Sequence, residues 1–147
     1  MNLTLHPARQ PLSGTIEVPG DKSISHRALL LGALAEGDSV IAGLLRFGDC
    51  RSSRSCIEAL GIHVEDTSEG EVVIHGKGLN GLTSPIGPLD CGRSGTTLRL
   101  LAGILAGQPF SSTVTGERQL LRRPMRRIVE PLRSMGSRIE DTEGRAP

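Results

Sequence analysis

The stretch from Pro19 to Gly37, PGDKSISHRALLLGALAEG, places a hydroxyl, an ammonium and a guanidinium around a predicted helix start. Lys22, Ser23 and Arg27 carry these groups, and Ser23 and Arg27 share a helix face because they are four residues apart. Unpaired backbone N–H groups and the positive end of the helix dipole favour an anion at such a position. The combination suits a phosphate or a carboxylate. The alternative is an ordinary capped helix whose cations are solvated.

The composition narrows the class of protein. With 147 residues the chain has room for one domain with a real core. It contains no Trp or Tyr and only two Phe, so stacking on bases or sugars is not expected. Seventeen basic and sixteen acidic residues give a net charge of +1, which argues against a nucleic-acid or membrane-surface partner. We recognise no signal peptide and no apolar run long enough to span a membrane.

The cysteines indicate a reducing compartment. Cys50, Cys56 and Cys91 are odd in number and lack CxxC or CxxH spacing, so neither a disulfide framework nor a zinc site is predicted. Cys91 has no supporting His or Asp nearby and is expected to be a small buried thiol rather than a nucleophile. We therefore expect a soluble, cytoplasmic protein without a bound metal.

Apolar spacing and turn residues give the first half of the chain a βαβαββ order. After an arm at Leu3–Leu12, the segment from Thr15 to Val18 alternates polar and β-branched residues and predicts a short strand. The helix after it is apolar around most of its circumference, which predicts burial on more than one side. The remaining elements follow in order: helix about Ser25–Ala35, strand Ser39–Ile41, helix Arg51–Leu60 ended by Gly61, and a hairpin of Ile62–Glu65 and Val72–His75.

The pattern recurs in the second half of the chain. Another glycine turn, GPLDCGRSG, opens onto a Leu/Ala run, and a strand at Ser112–Thr115 and a helix at Met125–Met135 follow. Residues 57–65 and 132–140 lie 75 apart and agree in character at five of nine positions, while Arg27 and Arg99 lie 72 apart at the two helix starts. A period of roughly 70 residues predicts a duplicated βαβαββ unit, with chance resemblance as the alternative.

The second copy of the unit is predicted to be clipped. Unit one covers about residues 19–80 and unit two about 85–147, where only three residues follow Gly144 in place of the last strand. The sequence therefore predicts a fragment, with an unpaired strand edge and part of the apolar face of the Met125–Met135 helix uncovered.

Three segments together, PGDKSISHRALLLGALAEG, CGRSGTTLRLLAGILAG and RRPMRR, resemble the 5-enolpyruvylshikimate-3-phosphate synthase family of the shikimate pathway over nearly the whole chain. The UDP-N-acetylglucosamine enolpyruvyl transferases share the fold but characteristically have Lys-Asn where this chain has Lys22-Ser23. The Ser-x-Ser-His-Arg pattern therefore favours the shikimate enzymes.

The resemblance implies an α/β fold (α+β in some schemes) of two domains, each built from three βαβαββ units, with the active site in the cleft between them. About two of the six units are present here. Residues 1–18 would form an arm and first strand that contacts the other domain, and residues 19–147 an incomplete amino-terminal domain. The missing carboxy-terminal domain would be the chain's partner.

The resemblance also implies a reaction, the transfer of an enolpyruvyl group from phosphoenolpyruvate to shikimate 3-phosphate, without a cofactor. Lys22 would touch both substrates, and Ser23 and Arg27 would bind shikimate 3-phosphate. The turn at Gly95 and Thr96 would approach both substrates, and Arg123 would bind phosphoenolpyruvate. If the resemblance holds, these places converge on one concave face. The family's acid–base residues lie outside this chain, so no catalytic residue is assigned and the chain alone is expected to be inactive. The rival function is a non-catalytic anion-binding or assembly module.

Several other residues have simpler interpretations. Arg93 stands where the family commonly has Asn, and it either adds a cation to the phosphate or points to solvent, which is favoured. Asp49 and Asp90 are predicted caps or turn formers rather than catalytic acids. His26 is interpreted as a helix-face residue, and His63 and His75 as structural or exposed residues without a neighbouring ligand set.

Overall fold

The computed structural model describes residues 3–8 and 10–146, and its regular structure begins at helix α1. The first unit contains, in order, α1 (Lys22–Leu34), β1 (Glu36–Ile41), α2 (Asp49–Ala59), β2 (His63–Asp66) and β3 (Val72–Lys77). Its strands form an antiparallel sheet in the order β1–β3–β2. The two predicted helices, the strand between them and the hairpin are confirmed, with ends that differ by a few residues.

The second unit repeats the helix–strand–helix order with shorter strands. It contains β4 (Leu89–Asp90), α3 (Gly95–Leu105), β5 (Val114–Thr115), α4 (Arg118–Leu121) and α5 (Arg126–Ser134). Strands β4 and β5 pair in parallel over two residues each. After α5 the described chain makes only an isolated antiparallel bridge, between Thr142 and Arg145. The short helix α4 was not predicted.

The core lies between the helices and the inner face of the three-stranded sheet. Side chains alternate along β2 and β3, so Val64, Val72 and Ile74 are buried against the helices while their neighbours face outward. Leu29 of α1 and Leu101 of α3 are fully buried. Burial of these branched side chains is the main source of stability, at about 1.5–3 kcal/mol each.

The ends of α2 and α5 support the predicted duplication. Gly61 and Gly136 follow these helices with φ of 88° and 99°, a left-handed conformation that favours glycine. In both helices the amide after the glycine donates to the carbonyl five residues earlier at 3.0 Å. The glycine amide donates to the carbonyl three residues earlier, at 3.0 Å and 2.9 Å. These bonds are the Schellman helix stop, repeated 75 residues apart.

The predicted strand from Thr15 to Val18 is wrong for the described chain. The segment has no strand partner, and Ile16 and Val18 are 84% and 75% exposed. A strand exists only when its backbone groups pair with a neighbouring strand, and residues 3–8 and 10–146 supply none here. In the described chain the first unit therefore begins at α1, without a leading strand.

Helix α1 differs from the prediction in its start and its burial. It begins at Lys22 instead of Ser25 because the Asp21 carboxylate caps it, accepting a hydrogen bond from the Ile24 amide at 2.7 Å. Leu31 is 66% exposed, so burial on more than one side is not observed in the described chain. One apolar stripe faces the core, and no element of the described chain covers the Leu31 side of the helix.

Helix α5 is only partly covered, in agreement with the sequence. Met125 and Val129 are buried, whereas Met135 is 80% exposed. A groove of about 1360 Å³ separates α3 and α5 from residues 136–146 and is lined in part by these buried side chains. None of the helices in the described part of the chain is long and apolar enough to cross a membrane.

Candidate anion-binding site

Lys22 is the first residue of α1, and its side chain reaches toward the start of α2. Its Nζ atom lies 3.1 Å from Oδ2 of Asp49, the first residue of α2. Asp49, predicted to be a cap or turn former, does not cap α2, because Gly48 occupies the N-cap position and no described side chain makes a capping hydrogen bond there. Asp49 instead neutralises the lysine, whose side chain remains 54% exposed.

Ser23 and Arg27 share the exposed face of the first turns of α1, as their spacing predicted. Arg27 Nη1 donates to the backbone carbonyl of Ser23 at 3.0 Å, so the guanidinium lies along the helix start. Within the described residues, Arg27 has no carboxylate partner and the Ser23 hydroxyl has no hydrogen bond. Both groups are thus available to a ligand.

A chain of buried polar side chains ties the starts of α1, α2 and α3 together. His26 Nδ1 lies 2.7 Å from Ser53 Oγ, and Ser53 Oγ lies 2.8 Å from Thr97 Oγ1. Thr97 Oγ1 donates to Ser94 Oγ at 2.7 Å. All four residues are fully buried. Buried polar groups are costly unless they are paired, so this chain fixes how the three helix starts are placed.

The direction of these hydrogen bonds determines the tautomer of His26. The Thr97 hydroxyl donates toward Ser94 Oγ and the Asp49 carbonyl, so its one proton is not donated to Ser53; Ser53 then donates to Thr97, and His26 donates from Nδ1 to Ser53. The Nε2 atom is then the unprotonated nitrogen, and it is buried without a partner in the described structure. His26 is therefore a buried positioning residue, more enclosed than the predicted helix-face residue.

Burial favours the neutral form of His26. Burial lowers the pKa of His26; Asp49 opposes this, and the charges of Lys22 and Arg27 add to the lowering. A neutral imidazole satisfies the hydrogen-bond chain without placing a charge among the three helix starts.

At the start of α3, the guanidinium groups of Arg99 and Arg123 lie close to the backbone of Gly95. Ser94 caps the helix by accepting from the Thr97 amide at 3.0 Å. A Cβ atom added to Gly95 would lie 2.9 Å from Arg123 Nη1 and 3.0 Å from Arg99 Nη1. Both side chains therefore lie directly over the glycine backbone, and the absence of a side chain at Gly95 permits this approach.

Helices α1 and α3 each present free amides next to these cations. The N–H groups of Lys22, Ser23, Gly95 and Thr96 have no acceptor in the described part of the chain, as expected in a first helical turn. Such amides attract anions together with the helix dipole. Thr96 is half-buried beside Gly95.

Arg99 and Arg127 are site residues that the sequence analysis missed. Burial and then the charges of Arg127 and Arg123 lower the pKa of the Arg99 guanidinium. The Arg99 Nε atom is buried without a hydrogen bond, and none of the three arginines has a carboxylate partner among the described residues. Their mutual repulsion leaves a positive potential that an anion would offset. The repeat contained the signal for Arg99, because this residue corresponds to Arg27 in the first unit.

Arg93 does not join this arginine cluster. Its Nε lies 2.7 Å from Glu117 Oε2, and its side chain is 69% exposed. The hydrogen bond and then the charge of Glu117 raise the pKa of Arg93. Arg93 is therefore exposed, as the favoured interpretation of the sequence predicted, but it is paired with a carboxylate rather than free in solvent.

The turn-forming role predicted for Asp90 and the burial predicted for the Cys91 thiol are confirmed. The Asp90 carboxylate accepts from the Gly92 amide at 2.8 Å and so forms the turn before α3. Cys91 is fully buried, and its hydrogen bond with Cys56, followed by burial, raises the pKa of its thiol. A thiol held in its protonated form is a poor nucleophile.

The structure brings together some of the predicted site residues and leaves others apart. The Asp49 side chain meets Lys22, and the Asp49 carbonyl lies 3.5 Å from Thr97 Oγ1, so the starts of α1, α2 and α3 adjoin. Arg123 joins Gly95 at the same end. Ser23 and Arg27 make no contact with Gly95 or Arg123 in the hydrogen bonds and ion pairs of the described chain. Two grooves of about 1360 and 500 Å³ lie elsewhere, so the predicted concave face is not formed by them.

The comparisons with known proteins agree on one family. The family model for EPSP synthase (3-phosphoshikimate 1-carboxyvinyltransferase) matches residues 7–147. The 3-phosphoshikimate 1-carboxyvinyltransferase of Methylococcus capsulatus is 54% identical over 137 residues, which are 92% of this chain and 31% of that protein. The Chloroflexus aurantiacus protein of the same name is 56% identical over 142 residues, 95% of this chain and 33% of that protein.

A solved structure leads to the same conclusion. EPSP synthase from Acinetobacter baumannii superposes with a TM-score of 0.86 at 44% identity, over 91% of this chain and 31% of that one. The chain therefore spans about a third of the length of the curated relatives it matches. The resemblance carried by the three sequence segments is confirmed, and the chain belongs to the EPSP synthase family.

Proposed function

We propose that this chain supplies one wall of a site where an enolpyruvyl group passes from phosphoenolpyruvate to shikimate 3-phosphate. The observation that carries the proposal is the cluster of Arg99, Arg123 and Arg127, without described carboxylate partners, beside Gly95 at the start of α3. Membership of the EPSP synthase family supplies the substrate class.

The chemistry explains why fixed cations are needed. A carbon–oxygen bond forms between a hydroxyl of shikimate 3-phosphate and phosphoenolpyruvate, and the bond to the departing phosphate breaks. Both substrates are anionic, so bringing them together is opposed by their repulsion. Preorganised guanidiniums, an ammonium and helix N-termini offset this repulsion and orient the reacting carbons.

Each predicted residue has a role in this proposal. Gly95 and Thr96 offer free amides, and Arg123 lies over them, which suits the compact anion phosphoenolpyruvate. Ser23 and Arg27 lie on the neighbouring start of α1, which suits the phosphate of shikimate 3-phosphate. Lys22 contacts Asp49, whose carbonyl adjoins Thr97 of α3, and it would exchange this contact for substrate oxygens.

A second domain would complete the site. Leu12, Ile16 and Val18 in the amino-terminal arm are 91%, 84% and 75% exposed, and we propose that they contact the carboxy-terminal domain that the longer relatives contain. The three buried free cysteines fit a reducing compartment, and we place the protein in the cytoplasm. We expect the 147-residue chain alone to release no phosphate above background, because orientation between two walls supplies much of the rate.

Titration calorimetry with shikimate 3-phosphate, on this chain joined to its second domain, tests the proposal. Lys22→Ala and Arg27→Ala should each weaken binding about tenfold or more, because a charge-assisted hydrogen bond contributes about 1.5–3 kcal/mol. Arg93→Ala is the matched control, since Arg93 is paired with Glu117, and it should bind like the wild type. Equal affinities in all four proteins would contradict the proposal, as would multiple turnover by the 147-residue chain alone.

A further inference from the structure

The outer face of the three-stranded sheet carries a group of metal-ligand side chains. Because Val64 and Ile74 point into the core, their neighbours His63, Glu65 and His75 face outward. The strand register places His63 directly opposite His75. Their rings stack with centroids 5.0 Å apart and planes 19° from parallel, so the absence of a neighbouring ligand set, expected from the sequence, is wrong.

The ligand atoms are close to the spacing that a metal ion needs. His63 Nε2 lies 3.7 Å from Glu65 Oε2, and His75 Nε2 lies 3.7 Å from Glu65 Oε1. One ligand atom from each of the three residues lies within 4.8 Å of the others. Bonds of about 2.0–2.2 Å in a tetrahedral Zn²⁺ site separate its ligand atoms by roughly 3.3–3.6 Å. Binding of one ion would also require the stacked rings to rotate, because the ion must lie close to the plane of both imidazoles.

Asp38 prepares His75 for this role. The Asp38 carboxylate lies 2.7 Å from His75 Nδ1 across the pairing of β1 with β3. It fixes the proton on Nδ1 and leaves a lone pair on Nε2, which lies 3.7 Å from Glu65 Oε1; this is the carboxylate–histidine arrangement that supports zinc ligands. His75 Nε2 is buried and has no hydrogen-bond partner in the described chain. This nitrogen is therefore free to bind a metal ion.

We propose that His63, Glu65 and His75 bind one Zn²⁺ or a similar transition-metal ion, with Asp38 holding His75 and water completing the coordination. Two imidazoles and one carboxylate are a donor set that suits zinc and disfavours Mg²⁺ or Ca²⁺. The ion would join β2 to β3 on the sheet face opposite the core and would stabilise the hairpin. This site is independent of the proposed anion-binding function.

Calorimetric titration of the untagged chain with Zn²⁺, in a buffer that does not bind the metal, tests the proposal. We expect one Zn²⁺ per chain and a rise in the melting temperature on binding. His63→Gln, Glu65→Gln and His75→Gln should each weaken binding about tenfold or more. Asp38→Asn should weaken it about 10- to 100-fold while keeping the stoichiometry. Glu69→Gln, in the exposed turn of the same hairpin, is the control and should leave binding unchanged.

Co²⁺ absorption then identifies the ligands. We expect the d–d bands of a nitrogen and oxygen site without a thiolate charge-transfer band, since Cys50, Cys56 and Cys91 are buried elsewhere. Circular dichroism confirms that each variant is folded, and His63→Gln should fold because this side chain is 68% exposed. Absence of binding, Zn²⁺ affinity unchanged in His63→Gln and Glu65→Gln, or a thiolate band would each overturn the proposal.

Discussion

The Lys22 ammonium lies 3.1 Å from the Asp49 carboxylate, so the lysine at the start of α1 is already neutralised by the first residue of α2. The pair joins two helix starts, but it also competes with any anion that Lys22 is proposed to bind. Arg27, Arg99 and Arg123 have no such competitor among the described residues. The affinity of the site for anions therefore depends on how readily Lys22 leaves Asp49.

Asp49→Asn should strengthen the binding of inorganic phosphate about two- to fivefold. A partly exposed ion pair contributes up to about 1 kcal/mol, and removing the acid frees Lys22 and lessens the local negative charge. Calorimetry at low salt measures the change, which should shrink as salt rises. The control is Glu58→Gln, which removes a carboxylate paired with Arg54. Phosphate affinity that is the same in wild type and Asp49→Asn would show that Lys22 does not contact the anion.

Gly95→Ala should weaken phosphoenolpyruvate binding about tenfold while leaving the fold intact. The added Cβ would lie 2.9 and 3.0 Å from the ends of two arginine side chains, which can move aside, but their movement takes the cations away from the anion. Gly103→Ala is the matched control in the same helix, because a Cβ there meets nothing within 4 Å. It should raise stability by about 0.5–1 kcal/mol and leave binding unchanged.

Calorimetry in the chain joined to its second domain measures binding by the two Gly→Ala variants, and urea unfolding measures their stability. Together these measurements separate the effect of Gly95 on the ligand from the effect of alanine on helix stability. Loss of binding in both variants would point to the helix rather than to the glycine.

Local signals explain what could be predicted from the sequence. Helices α1 and α3 follow from capping side chains and apolar runs, and the shared face of Ser23 and Arg27 follows from helical spacing. The end of α2 could be predicted because Gly61 readily adopts the left-handed conformation that terminates a helix. Each of these features is determined within a few residues of the chain.

Features that join distant parts of the chain were missed. The strand at Thr15–Val18 depends on a backbone partner, which its own sequence does not contain. The contacts of Ser53 with His26 and Thr97 join residues 27 and 44 positions apart. The pairing of His63 with His75 could have been predicted from the sequence, because the length of the hairpin turn determines which residues face each other.

Arg99→Gln should weaken phosphate binding about tenfold without loss of stability. The half-buried Arg99 side chain has no carboxylate partner in the described chain and is repelled by Arg127 and Arg123, so its charge contributes to the anion site rather than to folding. Urea unfolding and phosphate calorimetry on the same samples measure both effects. Arg54→Gln provides the contrast, since Arg54 bonds to Glu58 and Asp66 and its loss should lower stability but leave phosphate affinity unchanged. The reverse result for Arg99→Gln would make this arginine structural.

The stability of the chain should fall as the pH drops below about 6.5, and His26 should account for part of the loss. Burial lowers the folded-state pKa of His26, so below the unfolded-state value the unfolded chain binds a proton that the folded chain does not. Stability from this residue is therefore present above pH 6.5 and is lost as the pH falls, by at most about 1.4 kcal/mol per pH unit.

Urea unfolding of wild type and His26→Gln at neutral and mildly acidic pH isolates this contribution. The glutamine can donate its amide to Ser53 and does not titrate, so the variant should lose less stability on acidification than the wild type. His63→Gln is the control for an exposed histidine on the opposite face of the sheet. Equal acid sensitivity in wild type and His26→Gln would mean that His26 accepts a proton in the folded chain, which would contradict a neutral imidazole in the hydrogen-bond chain from His26 to Ser94.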